Sequence, residues 1–117
     1  MKNWFYSISV SLLLIMHAAG LYGLVYGQTN FYRDLSAFNL ALTFFLFVVG
    51  GSRFDKPYLL TLITVSAIGL AVEIIGVKTQ LVFGHYQYTS ILGTPVMNVP
   101  VVIGLNWGML IMSCAAV

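Results

Sequence analysis

A chain of 117 residues with 60% hydrophobic and 7% charged side chains cannot cover a water-facing surface, because soluble domains carry about a quarter charged residues. Its formal charge of +2 comes from scattered Lys and Arg, so there is no basic run to track a phosphate backbone, and nucleic acid is excluded as a partner. Cys114 is the only cysteine, which rules out an intrachain disulfide and reads as a small apolar filler.

Four apolar segments follow, against the roughly 20 residues that an α-helix needs to cross a bilayer. The first, 4–26, contains no charge. Its apolar run is too long for the core of a secretory signal, so it reads as a retained helix. The second, 35–51, is shorter and can be extended into the interface by Phe31 and Tyr32. The third, 58–77, carries Glu73 near its end, and the fourth, 99–117, is still apolar at Val117. GQTNFYRD and GSRFDKP connect them, the latter ending in a proline suited to a helix start. Trp4, Tyr6, Tyr26, Tyr32 and Tyr58 fall near the expected boundaries, as an aromatic belt does.

The expected fold is all-α: a polytopic membrane helix bundle, one integral-membrane domain over 1–117, with three complete spans, a truncated fourth and a loop at 78–98. The sequence then reads as the N-terminal part of a longer protein. Lys2, Arg53 and Lys56 against Arg33 and Lys78 favour a cytoplasmic N-terminus in the cell membrane.

Each helix carries a stripe of small and polar residues. In the third, Leu62, Ser66, Gly69, Glu73 and Gly76 follow helical spacing and define one face. Ser36, Asn39, Thr43 and Gly50 mark the second helix, and Ser9, His17 and Gly20 the first; Asn106 and Ser113 lie a heptad apart in the fourth. Such stripes let helices pack closely, and here they turn Glu73 inward.

Two readings of Glu73 stand side by side. A carboxyl near a helix end can reach the interface or bond a neighbouring helix. Alternatively, an ionisable group kept inside a span serves chemistry, since removing a carboxyl from water favours the protonated form from which a general acid works. The segment after it holds Phe83, Gly84, His85, Tyr86, Gln87 and Tyr88. Its length and aromatic content suggest a segment folded back on the helices, with Gly84, Gly93 and Pro95 supplying turns. His17 and His85 lack a third ligand at useful spacing, so no metal or haem is expected. Nor does a phosphate-binding loop or nucleophile motif occur.

Three blocks in order, EIIGVKT, FGHYQYTSILG and VPVVIGLNW, resemble the membrane-embedded carotenoid biosynthesis proteins, which include carotenoid hydratases of the bisanhydrobacterioruberin hydratase type. The match covers residues 73–107; after the first block this chain has Gln80 where members usually have glycine. The resemblance implies hydration of the terminal double bond of a linear carotenoid to a tertiary alcohol, without a cofactor. It implies Glu73 as proton donor, with its carboxylate or His85 removing a proton from the captured water. Phe83, Tyr86, Tyr88, Asn106 and Trp107 would bind the substrate, aromatic faces stabilising the cation by about 0.5–2 kcal/mol each. The implied partners are a lipid-soluble carotenoid, the bilayer and other enzymes of the pathway. The alternative is a non-enzymatic membrane protein that binds a carotenoid or quinone, or a helical protein that conducts protons.

Overall fold

The computed structural model describes residues 2–27, 30–51 and 55–115, and only the backbone of Lys2, Tyr32 and Arg33. Parts of both short connections, including Arg53, and the last two positions of the expected fourth span therefore lie outside the described residues. So do the side chains of Lys2 and Arg33 that entered the charge comparison. The chain is all-α apart from one two-stranded ribbon, and it divides into two units, Met1–Gly51 and Ser52–Val117.

The first unit pairs α1 (Lys2–Val25) with α2 (Asn30–Gly50). They run antiparallel: a β-carbon at Gly50, the end of α2, would lie 3.7 Å from the Phe5 ring near the start of α1. α2 starts at Asn30, ahead of the segment expected from Leu35, and takes Phe31 into its first turn. Its apolar part, Asp34–Gly50, has 17 residues.

The second unit is built on α3 (Lys56–Thr79) and α4 (Val101–Ala115). Asp55 stands at the N-cap of α3 in extended conformation and Pro57 follows in the first turn, where its missing N–H costs no helical bond. Gln80 ends the helix in the left-handed region (φ 56°, ψ 19°), its N–H bonding the Gly76 carbonyl at 2.8 Å. Glycine takes this conformation without strain, so the cap would favour a glycine at this position.

The residues that α3 buries are Leu62, Ser66, Gly69, Glu73 and Gly76, the stripe read from the sequence. Its large side chains point outward: Ile63, Ile68 and Ile75 are all more than half exposed. Small residues on the buried face let α4 come close, with Gly104 against Leu70 and Gly108 against Ser66. Thr61, Thr64 and Thr79 turn their hydroxyls onto carbonyls four residues back, at 2.7–2.8 Å, so exposed polar atoms are satisfied within the helix itself.

Between α3 and α4 the chain leaves helix, passes a short 3-10 turn at Ser90–Leu92, and forms a hairpin of β1 (Pro95–Val96) and β2 (Val99–Pro100). Pro95 pairs with Pro100 and Val96 with Val99. Met97 and Asn98, the two loop residues, both have positive φ, as a two-residue hairpin requires. The sequence suggested that the last helix begins at Val99. It begins at Val101, because Pro100 holds Val99 extended and both are fully buried in the ribbon, which packs on α3 and α4. Gly84 and Gly93, expected at turns, adopt φ of 84° and 90°.

By length and composition, α1 and α3 are the two described helices able to cross a membrane; α4 has 15 described residues. On that criterion two of the three expected complete spans, α1 and α3, are long and apolar enough among the described residues.

Candidate active site

Glu73 occupies the fifth turn of α3 and is 7% exposed. α3 stands it inward, and the segment after the helix returns over it. Tyr86 and Tyr88 stand two residues apart in the stretch 85–89, which is neither helix nor strand. Both hydroxyls donate to Glu73 Oε2, at 2.7 and 3.0 Å. Trp107 of α4 donates from Nε1 to Oε1 at 2.9 Å. Each carboxyl oxygen thus has its own donors, from two separate elements, which removes the cost of leaving a buried carboxyl unpartnered.

Two glycines on the same helix face make these approaches possible. Gly69, four residues before Glu73, lies directly beneath the Trp107 side chain, and Gly76, three residues after it, lies beneath Tyr86 and Phe83. Both were read from the sequence only as packing residues. The signal was present in their spacing: one turn to either side of the carboxyl, on the face that receives its partners.

The rings form a continuous wall. Phe83 stacks on Trp107 with centroids 6.5 Å apart, meets Tyr86 edge-on at 6.2 Å, and Tyr86 meets Tyr88 edge-on at 5.6 Å. Aromatic pairs favour such offset and edge geometries. Phe83 remains about half exposed, so one side of the wall is open to its surroundings. Burial, then the bond to Glu73 and its charge, pushes Tyr86 up to about 12. The same causes, with Tyr86 beside it, push Tyr88 upward as well. Both phenols stay protonated at physiological pH and act as donors.

The structure brings together Glu73, Phe83, Tyr86, Tyr88 and Trp107. It gives His85 a different neighbour: its Nδ1 faces Gln80 Oε1, its side chain is exposed, and none of the described hydrogen bonds joins it to Glu73. Asn106 precedes Trp107 on α4, about 100° around the helix, half-buried and with no described bond to the carboxyl. His17 lies in the first unit, bonding its own helix at the Leu13 carbonyl, 2.8 Å away.

This carboxyl, its three donors and the ring wall all fall within residues 32–117, the part of the chain that matches the family described as carotenoid biosynthesis protein. No match was found among curated proteins or among solved structures. The family match spans well over half of the chain. The chain therefore belongs to the carotenoid biosynthesis protein family.

Proposed function

We propose that this protein hydrates the terminal double bond of a linear carotenoid, in the manner of the bisanhydrobacterioruberin hydratase type, with Glu73 as the proton donor. The observation that carries the reading is a single buried carboxyl held by Tyr86, Tyr88 and Trp107 inside a wall of rings. In the cycle proposed, Glu73 takes up a proton before the alkene reacts and delivers it to the less substituted alkene carbon, leaving a tertiary carbocation. Water adds to that cation, and the Glu73 carboxylate takes the proton that the adding water sheds. The balance is alkene plus water giving a tertiary alcohol, with the acid regenerated and no cofactor consumed. The faces of Phe83, Tyr86, Tyr88 and Trp107 supply negative quadrupole to the cation.

The setting proposed is an integral membrane one, polytopic and in the cell membrane, with the N-terminus cytoplasmic. Support comes from the apolar lengths of α1 and α3, from the outward isoleucines of α3, and from threonines that bond their own helix. Glu73 lies six residues before the end of α3, about 9 Å along the axis, where an end group arriving from lipid can meet water from the interface. A linear polyene then keeps most of its length in the hydrocarbon.

One observation favours a second reading. Three donors on one carboxyl also make Glu73 a clamp that ties the loop and α4 to α3, which suits a non-enzymatic carotenoid-binding protein. Expression in cells that accumulate a linear carotenoid separates the two. Hydration yields a more polar pigment, heavier by one water, and Glu73→Gln abolishes it at unchanged protein level. Unaltered pigment that copurifies with the wild-type protein would instead establish the binding reading.

A further inference from the structure

The loop side of the carboxyl is built over a residue that has no side chain. Gly76 shares the buried face of α3 with Glu73, nearly one turn further along. A β-carbon at Gly76 would stand 2.8 Å from the Tyr86 hydroxyl and 3.0 Å from Phe83 Cδ2. Both approaches are shorter than ordinary van der Waals contact. The phenol oxygen thus occupies space that any other residue would fill, and from that space it donates to Glu73 Oε2 at 2.7 Å.

Gly69 differs in kind. Its added carbon would meet the first side-chain atoms of Trp107, which are fixed to the backbone of α4, so substitution there displaces a helix. At Gly76 the obstructed atoms are the far ends of two side chains on a loop, which can swing away. We infer that Gly76 is a positioning residue of the site: it admits Tyr86 to Glu73, and a β-carbon there detaches Tyr86 while Tyr88 and Trp107 stay bonded. The consequence for turnover rests on the hydration reading, whereas the placement of Tyr86 does not. Alanine is the better helix former, so harm from Gly76→Ala must arise at the loop and not within α3.

The test is NMR of the micelle-embedded protein carrying ring-labelled tyrosine, with Tyr86 assigned by Tyr86→Phe. Wild type should show Tyr86 and Tyr88 hydroxyl protons protected from exchange. Gly76→Ala should lose the first and keep the second, and lower hydration by the same factor as Tyr86→Phe. Thermal midpoints complete a cycle: Gly76→Ala should cost less in the Tyr86→Phe background than in wild type, since the hydroxyl at 2.8 Å is gone and only the Phe83 edge at 3.0 Å remains. If Gly76→Ala alone fails to accumulate, recovery of the double variant supports the role and its failure overturns it. A protected Tyr86 hydroxyl in Gly76→Ala, or additive effects of the two substitutions, would also overturn it. Absence of hydration by the wild type refutes the proposed function, while the hydroxyl protection still decides the role of Gly76.

Discussion

The two helical pairs are made from similar apolar residues and both return polar side chains to their own helices, but they differ in what the second adds to that pattern. In α1 and α2, His17 and Thr43 each bond a carbonyl four residues back on their own helix, and Ser9 Oγ and Asn39 Oδ1 are buried without a partner among the described residues. In the second unit, Thr61, Thr64 and Thr79 bond their own helix likewise, and Ser66 Oγ is buried without a partner among the described residues. There, however, the loop and α4 also send three donors to one carboxyl on α3. A bond within one helix is compatible with many neighbours. A carboxyl satisfied only by two other elements specifies one arrangement, since moving either leaves a buried oxygen open. The chemistry proposed for this chain is accordingly placed where polarity is shared between elements.

The sharpest way to break this contrast is to neutralise one polar group in each unit. Glu73→Gln keeps the size of the side chain but removes the transferable proton, and carotenoid hydration should fall by about 10²-fold or more, the scale of general acid catalysis. Glu73→Asp should retain measurable, impaired activity. His17→Leu removes only a bond within α1 and should leave hydration at the wild-type level. Pigment analysis normalised to membrane-inserted protein decides the matter. Normal hydration by a well-expressed Glu73→Gln protein would end the acid role.

The donors themselves should not be equivalent. Trp107 is the described donor to Oε1, whereas Oε2 has two. Trp107→Phe should cost about 2–3 kcal/mol of stability, in the range for a lost bond to a charged group that leaves its partner open. Tyr86→Phe should cost about 1 kcal/mol, because Tyr88 still serves the same oxygen. Denaturant unfolding in micelles would measure both, and an equal cost would remove the distinction between the two oxygens.

Glycines extend the comparison. Gly69→Ala drives a carbon into Trp107 and should cost about 1–3 kcal/mol by overpacking. Gly20, on α1, has no atom within 4 Å of the place its β-carbon would take. Gly20→Ala should be neutral or stabilise by up to about 1 kcal/mol through helix propensity. Destabilisation by Gly20→Ala in thermal unfolding would mean that the face of α1 is packed more closely than the structure shows.

Much of this was legible in the residues alone. Helical spacing placed Leu62, Ser66, Gly69, Glu73 and Gly76 on one face, because a period near 3.6 fixes which residues share a side. The aromatic content of the segment after α3 likewise suggested that it folds back on the helices, and Tyr86 and Tyr88 do reach Glu73. Tertiary choices were not legible. Nothing local says that His85 bonds Gln80, since that pairing depends on the left-handed cap at Gln80 folding the loop back. The β1–β2 hairpin was missed because its loop residues are Met97 and Asn98, without the glycine that usually announces such a turn. Pro100 alone held the clue that α4 starts after it.

The smallest effect expected is on alkaline stability, and it belongs to the second unit. Tyr86 titrates at about 12 in the folded protein, above the usual phenol value of about 10, through burial and then its bond to Glu73 and the charge there. Between those values the folded state holds a proton that the unfolded state has released. Stability is therefore intact below about pH 10 and declines as pH rises to about 12, since the unfolded state then binds fewer protons. Tyr88 is shifted in the same direction and adds to the same slope. Tyr86→Phe removes one of the two titrations, so its stability should fall less steeply over that interval, although it starts lower. The difference should be modest because Tyr86 is only half-buried and solvent screens part of its interaction. Unfolding followed at stepped alkaline pH, for wild type and Tyr86→Phe side by side, measures the two slopes. A variant slope as steep as wild type would mean that the folded protein does not shift the Tyr86 phenol, by burial or by Glu73, and the contrast between shared and local polarity would lose its clearest example.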